Sequence, residues 1–67
     1  MELPEIREIL EKIRMAAKDN DDEVAHILEK DLWANALLAI VNGSPASKDL
    51  AFEALKSKEI LFSRWFA

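Results

Sequence analysis

The chain has 67 residues, of which 51% are hydrophobic and 33% charged, with one Gly, two Pro and no Cys. That apolar share excludes a disordered tail or a linker, and the missing thiols exclude disulfides, zinc–thiolate sites and cysteine catalysis. A net charge of −4 argues against sequence-independent binding to nucleic acid or anionic lipid.

The negative charge is concentrated between Asp19 and Asp31, and residues 44–67 carry a net +1. Met1–Glu5 has no basic segment leading into an apolar one, so no signal peptide is expected. The longest apolar run, Leu32–Val41, is ten residues interrupted by Asn35, about half of the roughly 20 that span a bilayer. A soluble, cytoplasmic protein is the expectation.

The hydrophobic period is helical throughout. Leu3, Ile6, Leu10, Ile13 and Ala17 recur at three- and four-residue steps, with Ile9 widening the stripe, and predict a first helix over residues 4–18. Pro4 suits its first turn, and Glu8 and Lys12 form a well-oriented i,i+4 pair. Asn20-Asp21-Asp22-Glu23 has the form of a capping box, with Asn20 as N-cap of a second helix over residues 20–42. Gly43 then supplies the left-handed residue that stops it. In its first half Val24, Ile27 and Leu28 are expected to face the core, opposite Glu23, His26, Glu29 and Lys30. Its second half is apolar nearly all the way round.

Ser44-Pro45 marks another helix entry, with Ser44 or Ser47 as N-cap, and a third helix is expected over residues 45–65. Leu50, Ala54, Leu55, Leu61, Phe62 and Trp65 share one face of it, while Phe52, Ile60 and Phe66 fall off that face. A break near Ser57, giving two shorter helices, accommodates Ile60 better. The fold class is therefore a compact all-α bundle of three helices, or four if the last one breaks, forming a single domain.

Catalytic and metal motifs are weak. His26 lies one turn from Asp22 and Lys30, but no nucleophile joins it. The run Asp19–Glu23 resembles the start of a calcium loop, yet the required sixth and twelfth positions are Val24 and Lys30 instead of Gly and Glu. Glu5, Glu8 and Glu11 repeat the carboxylate spacing of all-α nucleotide pyrophosphohydrolases, without a second acidic pair on a later helix. Ala39–Gly43 followed by Ser47–Ala54 has the outline of a helix-turn-helix. The charges of Lys48, Asp49, Glu53 and Lys56 cancel, however, and DNA reading needs cations and base donors. No catalytic, metal or cofactor residue is assigned.

The apolar content points instead to contacts with protein. Leu32–Val41 exceeds what three helices hide, and a chain this small often needs extra stabilisation, which favours a homodimer. Asn35 either fixes register across helices or marks the exposed edge of the second helix. The closing Arg64, Trp65 and Phe66 are of the types enriched in interface hot spots. The candidate protein-contact residues are Asp19, Asp21, Asp22, Glu23, Trp33, Phe52, Arg64, Trp65 and Phe66.

Ala36-Leu37-x-Ala39-Ile40-x-x-Gly43, then Leu50-Ala51-x-x-Ala54-Leu55 and Arg64-Trp65-Phe66-Ala67, resembles the C-terminal half of short helical phage and prophage proteins. The resemblance covers residues 32–67 and implies no catalytic residues. It implies a small acidic protein that binds and blocks a host protein, such as a CRISPR effector or a restriction enzyme. The expected function is thus a protein-binding module with itself and an unidentified protein as partners. The alternatives are a small helix-turn-helix regulator and a magnesium-dependent nucleotide hydrolase.

Overall fold

The computed structural model describes residues 1–64. Three helices, α1 (Leu3–Lys18), α2 (Asp22–Val41) and α3 (Ser47–Leu55), are followed by a 3₁₀ turn at Lys56–Glu59 and an extended segment to Arg64. No strand occurs among the described residues. The all-α three-helix architecture is as expected.

Helix α1 begins with Glu2 as N-cap, whose backbone N–H donates to the Glu5 carboxylate at 3.1 Å, and with Pro4 in the first turn. It buries Ile6, Leu10 and Ile13 completely or nearly so. Ala16 is buried in place of the expected Ala17, because the chain folds back over it. The Ala16 carbonyl accepts the Asp21 N–H at 2.8 Å, and Ala17 accepts that of Asn20 at 3.1 Å. That pair of bonds is a Schellman motif, and Asn20 is its left-handed residue at φ +59°.

Asn20 is therefore a stop for α1 and not the N-cap of α2. The capping role moves one residue on, to Asp21, whose carboxylate accepts the Val24 N–H at 3.4 Å. Asparagine tolerates the left-handed region better than other non-glycine residues, so a stop was the stronger demand on it. At its far end α2 repeats the motif with Gly43 at φ +84°, bonding to Ile40 and followed by Ser44 bonding to Ala39.

The inward face of α2 is Ala25, Glu29, Leu32 and Ala36. This corrects the expected face: Val24 and Ile27 point to solvent, and Glu29 is buried. Four alanines at the core, Ala16, Ala25, Ala36 and Ala54, let the helices approach closely, since interaxial distance follows side-chain size. Leu50 and Ala54 of α3 complete the core.

The third helix is much shorter than expected. Ala46 is its N-cap, preceded by a local turn in which the Ser44 hydroxyl accepts the Ala46 N–H and the Ser47 hydroxyl donates to the Ser44 carbonyl. After Leu55 it tightens to 3₁₀ and stops at Glu59, close to the suspected break at Ser57. Residues 60–64 are not helical, so the expected face through Leu61 and Phe62 does not form. Leu61 is 90% exposed and Phe62 packs part-buried on the core. Trp65, the last member of that face, lies outside the described residues.

Gly43→Val is expected to destabilise the chain by about 1 kcal/mol or more, because a β-branched residue is strained at positive φ. No atom lies within 4 Å of the added Cβ, so the cost is purely conformational. Urea unfolding of the variant measures it.

Candidate functional site

Glu29 lies on the core face of α2 and is only 4% exposed. A buried carboxylate must be matched by a cation and hydrogen bonds. Arg64 supplies both: its Nε donates to Oε1 at 2.8 Å and its Nη2 to Oε2 at 2.9 Å. The same Nη2 donates to the carbonyls of Ser57 at 2.8 Å and Ile60 at 3.0 Å, and the guanidinium stacks 3.9 Å from the Phe62 ring. The fully buried Ser57 hydroxyl adds a bond to Glu29 and accepts the Trp33 indole N–H at 2.9 Å. Trp33 also reaches the Ala54 carbonyl at 3.3 Å. Trp33, Glu29, Ser57 and Arg64 thus form one network tying α2, the 3₁₀ turn and the extended segment together.

Burial pushes the Glu29 carboxyl up. The bonds from Arg64 and Ser57, the Arg64 charge and nearby His26 outweigh it and hold the group below its ordinary range. Arg64 is correspondingly held in its charged form by the Glu29 bond, against the effect of its own burial. A second network joins α1 to α3. The Glu53 carboxylate, 9% exposed, accepts Lys56 at 3.1 and 3.3 Å and lies 3.5 Å from Arg7. The Lys56 bond is the main reason that Glu53 too is held below its ordinary range.

Beside the first network, α2 and α3 leave an apolar groove of about 200 Å³. Trp33, Leu37 and Ile40 form one wall, and Ala51, Ala54 and Leu55 the other. Enclosed small-molecule sites run to roughly 300–1,000 Å³, so this one suits the side chains of a docked segment better than a cofactor. Leu37 and Leu55 line it and are 62% and 54% exposed, and Phe52, next to Ala51 on α3, is 68% exposed. Lys30 is one heptad before Leu37 and Lys48 one turn before Phe52, so helical period puts both along the same side. Lys56 sits 5.5 Å from the Phe52 ring centre. None of the groove's lining residues is a carboxylate, in a chain that carries 13 acidic groups.

The structure separates the residues expected to make contacts. Asp19 is the C-cap of α1, Asp21 the N-cap of α2, and Asp22 and Glu23 its acidic first turn. Capping and the helix dipole account for Asp21, Asp22 and Glu23. Asp21, Asp22 and Glu23 lie about 15–18 Å along α2 from Trp33, and none of the four acidic residues lines the groove. Trp33 lines it, and Phe52 is exposed on α3 beside the lining residue Ala51. Arg64 turns inward to Glu29 instead of outward, and Trp65 and Phe66 lie outside the described residues. Glu29 and Ser57 were not anticipated.

Other expected chemistry is dispersed. Glu5 is engaged in the α1 cap, Glu8 lies 3.9 Å from Lys12, and Glu11 lies 3.2 Å from Arg14. Among the described residues, no three His, Cys, Asp or Glu side chains gather as metal ligands do. The exposed side of α3 presents Phe52 and Leu55 where a DNA-reading helix needs base donors. No helix among the described residues is long and apolar enough to cross a membrane.

Removing Arg64 leaves Glu29 buried and uncompensated. Arg64→Met should cost roughly 2–4 kcal/mol, and the double variant with Glu29→Met should recover most of the loss. Urea midpoints compare them. The Glu29 contribution should also depend on pH. The folded carboxylate holds its proton less well than an unfolded one of ordinary value 4.5, so the stabilisation is present above that value. It drains away as pH falls through the lower, folded value. Below about pH 4.5 the melting temperature should drop less steeply in Glu29→Gln than in the natural chain.

No protein-family model, no curated protein and no solved structure matches this chain.

Proposed function

We propose that this protein is a non-catalytic binding module that receives an acidic amphipathic helix of a partner protein in the α2–α3 groove. One observation carries the reading: an apolar floor whose lining residues Leu37 and Leu55 are largely exposed, lined by no carboxylate, with Lys30 and Lys48 placed along the same side by helical period. Helix-in-groove recognition needs an apolar trough for residues spaced three and four apart, and a rim of opposite charge that sets orientation. Trp33 gives the trough a rigid wall, since Ser57 and Ala54 hold its indole in place. A module this small acts by covering the surface that it binds, which is the mode of action implied by the resemblance to phage proteins.

Phe52→Ala and Leu37→Ser are the test. Both side chains are exposed, so stability should change by no more than about 0.5 kcal/mol, read from circular dichroism melts. Each should weaken partner binding by about fivefold or more, the roughly 1 kcal/mol loss that most interface residues do not reach. In a pull-down from the native cell, a protein retained by the natural chain should be lost with both variants. Its retention should fall as salt rises, because lysine–carboxylate pairs at the rim are screened. Equal retention by the folded variants would place the contact elsewhere.

A further inference from the structure

The outer side of α2 carries a second apolar surface, away from both core and groove. Val24, Ile27, Asp31, Ala34, Leu38 and Val41 follow one another at steps of three, four, three, four and three, and all six are exposed. Val24, Ile27, Leu38 and Val41 are 43%, 48%, 57% and 80% exposed. This is the a/d spacing of a coiled-coil seam, about two and a half heptads long, on a helix whose opposite stripe already fills the core. Among the described residues no further element is left to lay on it.

The seam is symmetric about a point between Leu32 and Trp33. In an antiparallel pair centred there, Val24 meets Val41 of the partner subunit, Ile27 meets Leu38 of the partner subunit, and Asp31 meets Ala34 of the partner subunit. Each large apolar residue finds another, and the one charged residue finds the smallest. A parallel pair would set Asp31 directly against Asp31 of the partner subunit, a like-charge contact on the axis. The antiparallel arrangement places Lys30 of one copy about 6 Å along the axis from Asp31 of the other, within a lysine's reach. The seam is about 26 Å long and buries about 500 Å² per copy, at the low end for specific interfaces.

We infer that two copies of this chain associate through the outer stripe of α2, antiparallel across a two-fold axis, in a weak dimer that leaves the α2–α3 groove open. The chain has no natural thiol, so engineered ones report the register. Ile27→Cys and Leu38→Cys chains, mixed and mildly oxidised, should form a mixed disulfide. Ile27→Cys alone should not, because its two sulfurs would start about 16 Å apart along the axis, beyond disulfide reach. Sedimentation should show the natural chain dimerising at about 100 µM. Leu38→Asp, at an exposed position, should keep its helicity and weaken the dimer at least about tenfold. Asp31→Leu should tighten it by a similar factor, since a polar residue on the seam costs stability.

A natural chain that stays monomeric at about 500 µM would overturn the inference and leave the seam to a different protein. So would a dimer unaffected by Leu38→Asp, or efficient self-crosslinking of Ile27→Cys. Phe52→Ala should leave the dimer intact, which separates failure of this inference from failure of the groove reading.

Discussion

The C-terminal half of this structure depends on one carboxylate. Glu29 stands in the core stripe of α2, between Ala25 and Leu32, where an unpaired charge costs several kcal/mol. Its partner comes from 35 residues further along the chain. Once Arg64 is drawn in, its guanidinium also takes the carbonyls of Ser57 and Ile60, which a continuing helix would have given to its own N–H groups. The third helix ends at Leu55, tightens to 3₁₀ through Glu59, and residues 60–64 are not helical. Ser57 is buried there, and its hydroxyl seats the Trp33 indole. Ion pair, helix stop and groove wall are one construction.

With the tail held in this way, α2 is the central element, and only one side of it is used internally. Ala25, Leu32 and Ala36 face the core, whereas Leu37 and the stripe from Val24 to Val41 face outward. A chain of this length buries only about 60% of the surface its unfolded form exposes, so some apolar surface outside the core is unsurprising. Its distribution is informative. One part is a trough with lysines placed along one side and the other a regular seam broken by a single aspartate. Both patterns are suited to helices, and neither brings together groups that could share a proton or hold a metal.

What was legible in the sequence is what neighbouring residues decide. Pro4 and Gly43 mark helix ends through backbone preference alone, and Ile6, Leu10 and Ile13 define a face because their neighbours are polar. The face of α2 was not legible, since apolar residues surround it and the pattern offers no polar side to exclude. Asn20 was misread because the same residue type serves as helix start and helix stop. The third helix was overextended because nothing local to Leu61 opposes helix. The opposing force is the pull of Glu29 on Arg64, which periodicity does not record. A single arginine closing an apolar segment, and a glutamate four residues after a buried alanine, were the available signals for that pair. Of the site, the exposure of Phe52 followed from its position off the stripe, whereas Trp33 proved to be both an anchor and a wall.

One chain completes its own core, and we propose that the remaining apolar surface serves association. The most direct test is urea unfolding at about 1 µM, where a weak dimer has dissociated, followed by far-ultraviolet circular dichroism. The account predicts a helical chain that unfolds in a single cooperative transition with a slope of about 1 kcal/mol/M, as for a small intact domain. Loss of helicity on dilution to that concentration, with no transition left to measure, would contradict it. The exposed surface of α2 would then be part of the folding core of an obligate assembly.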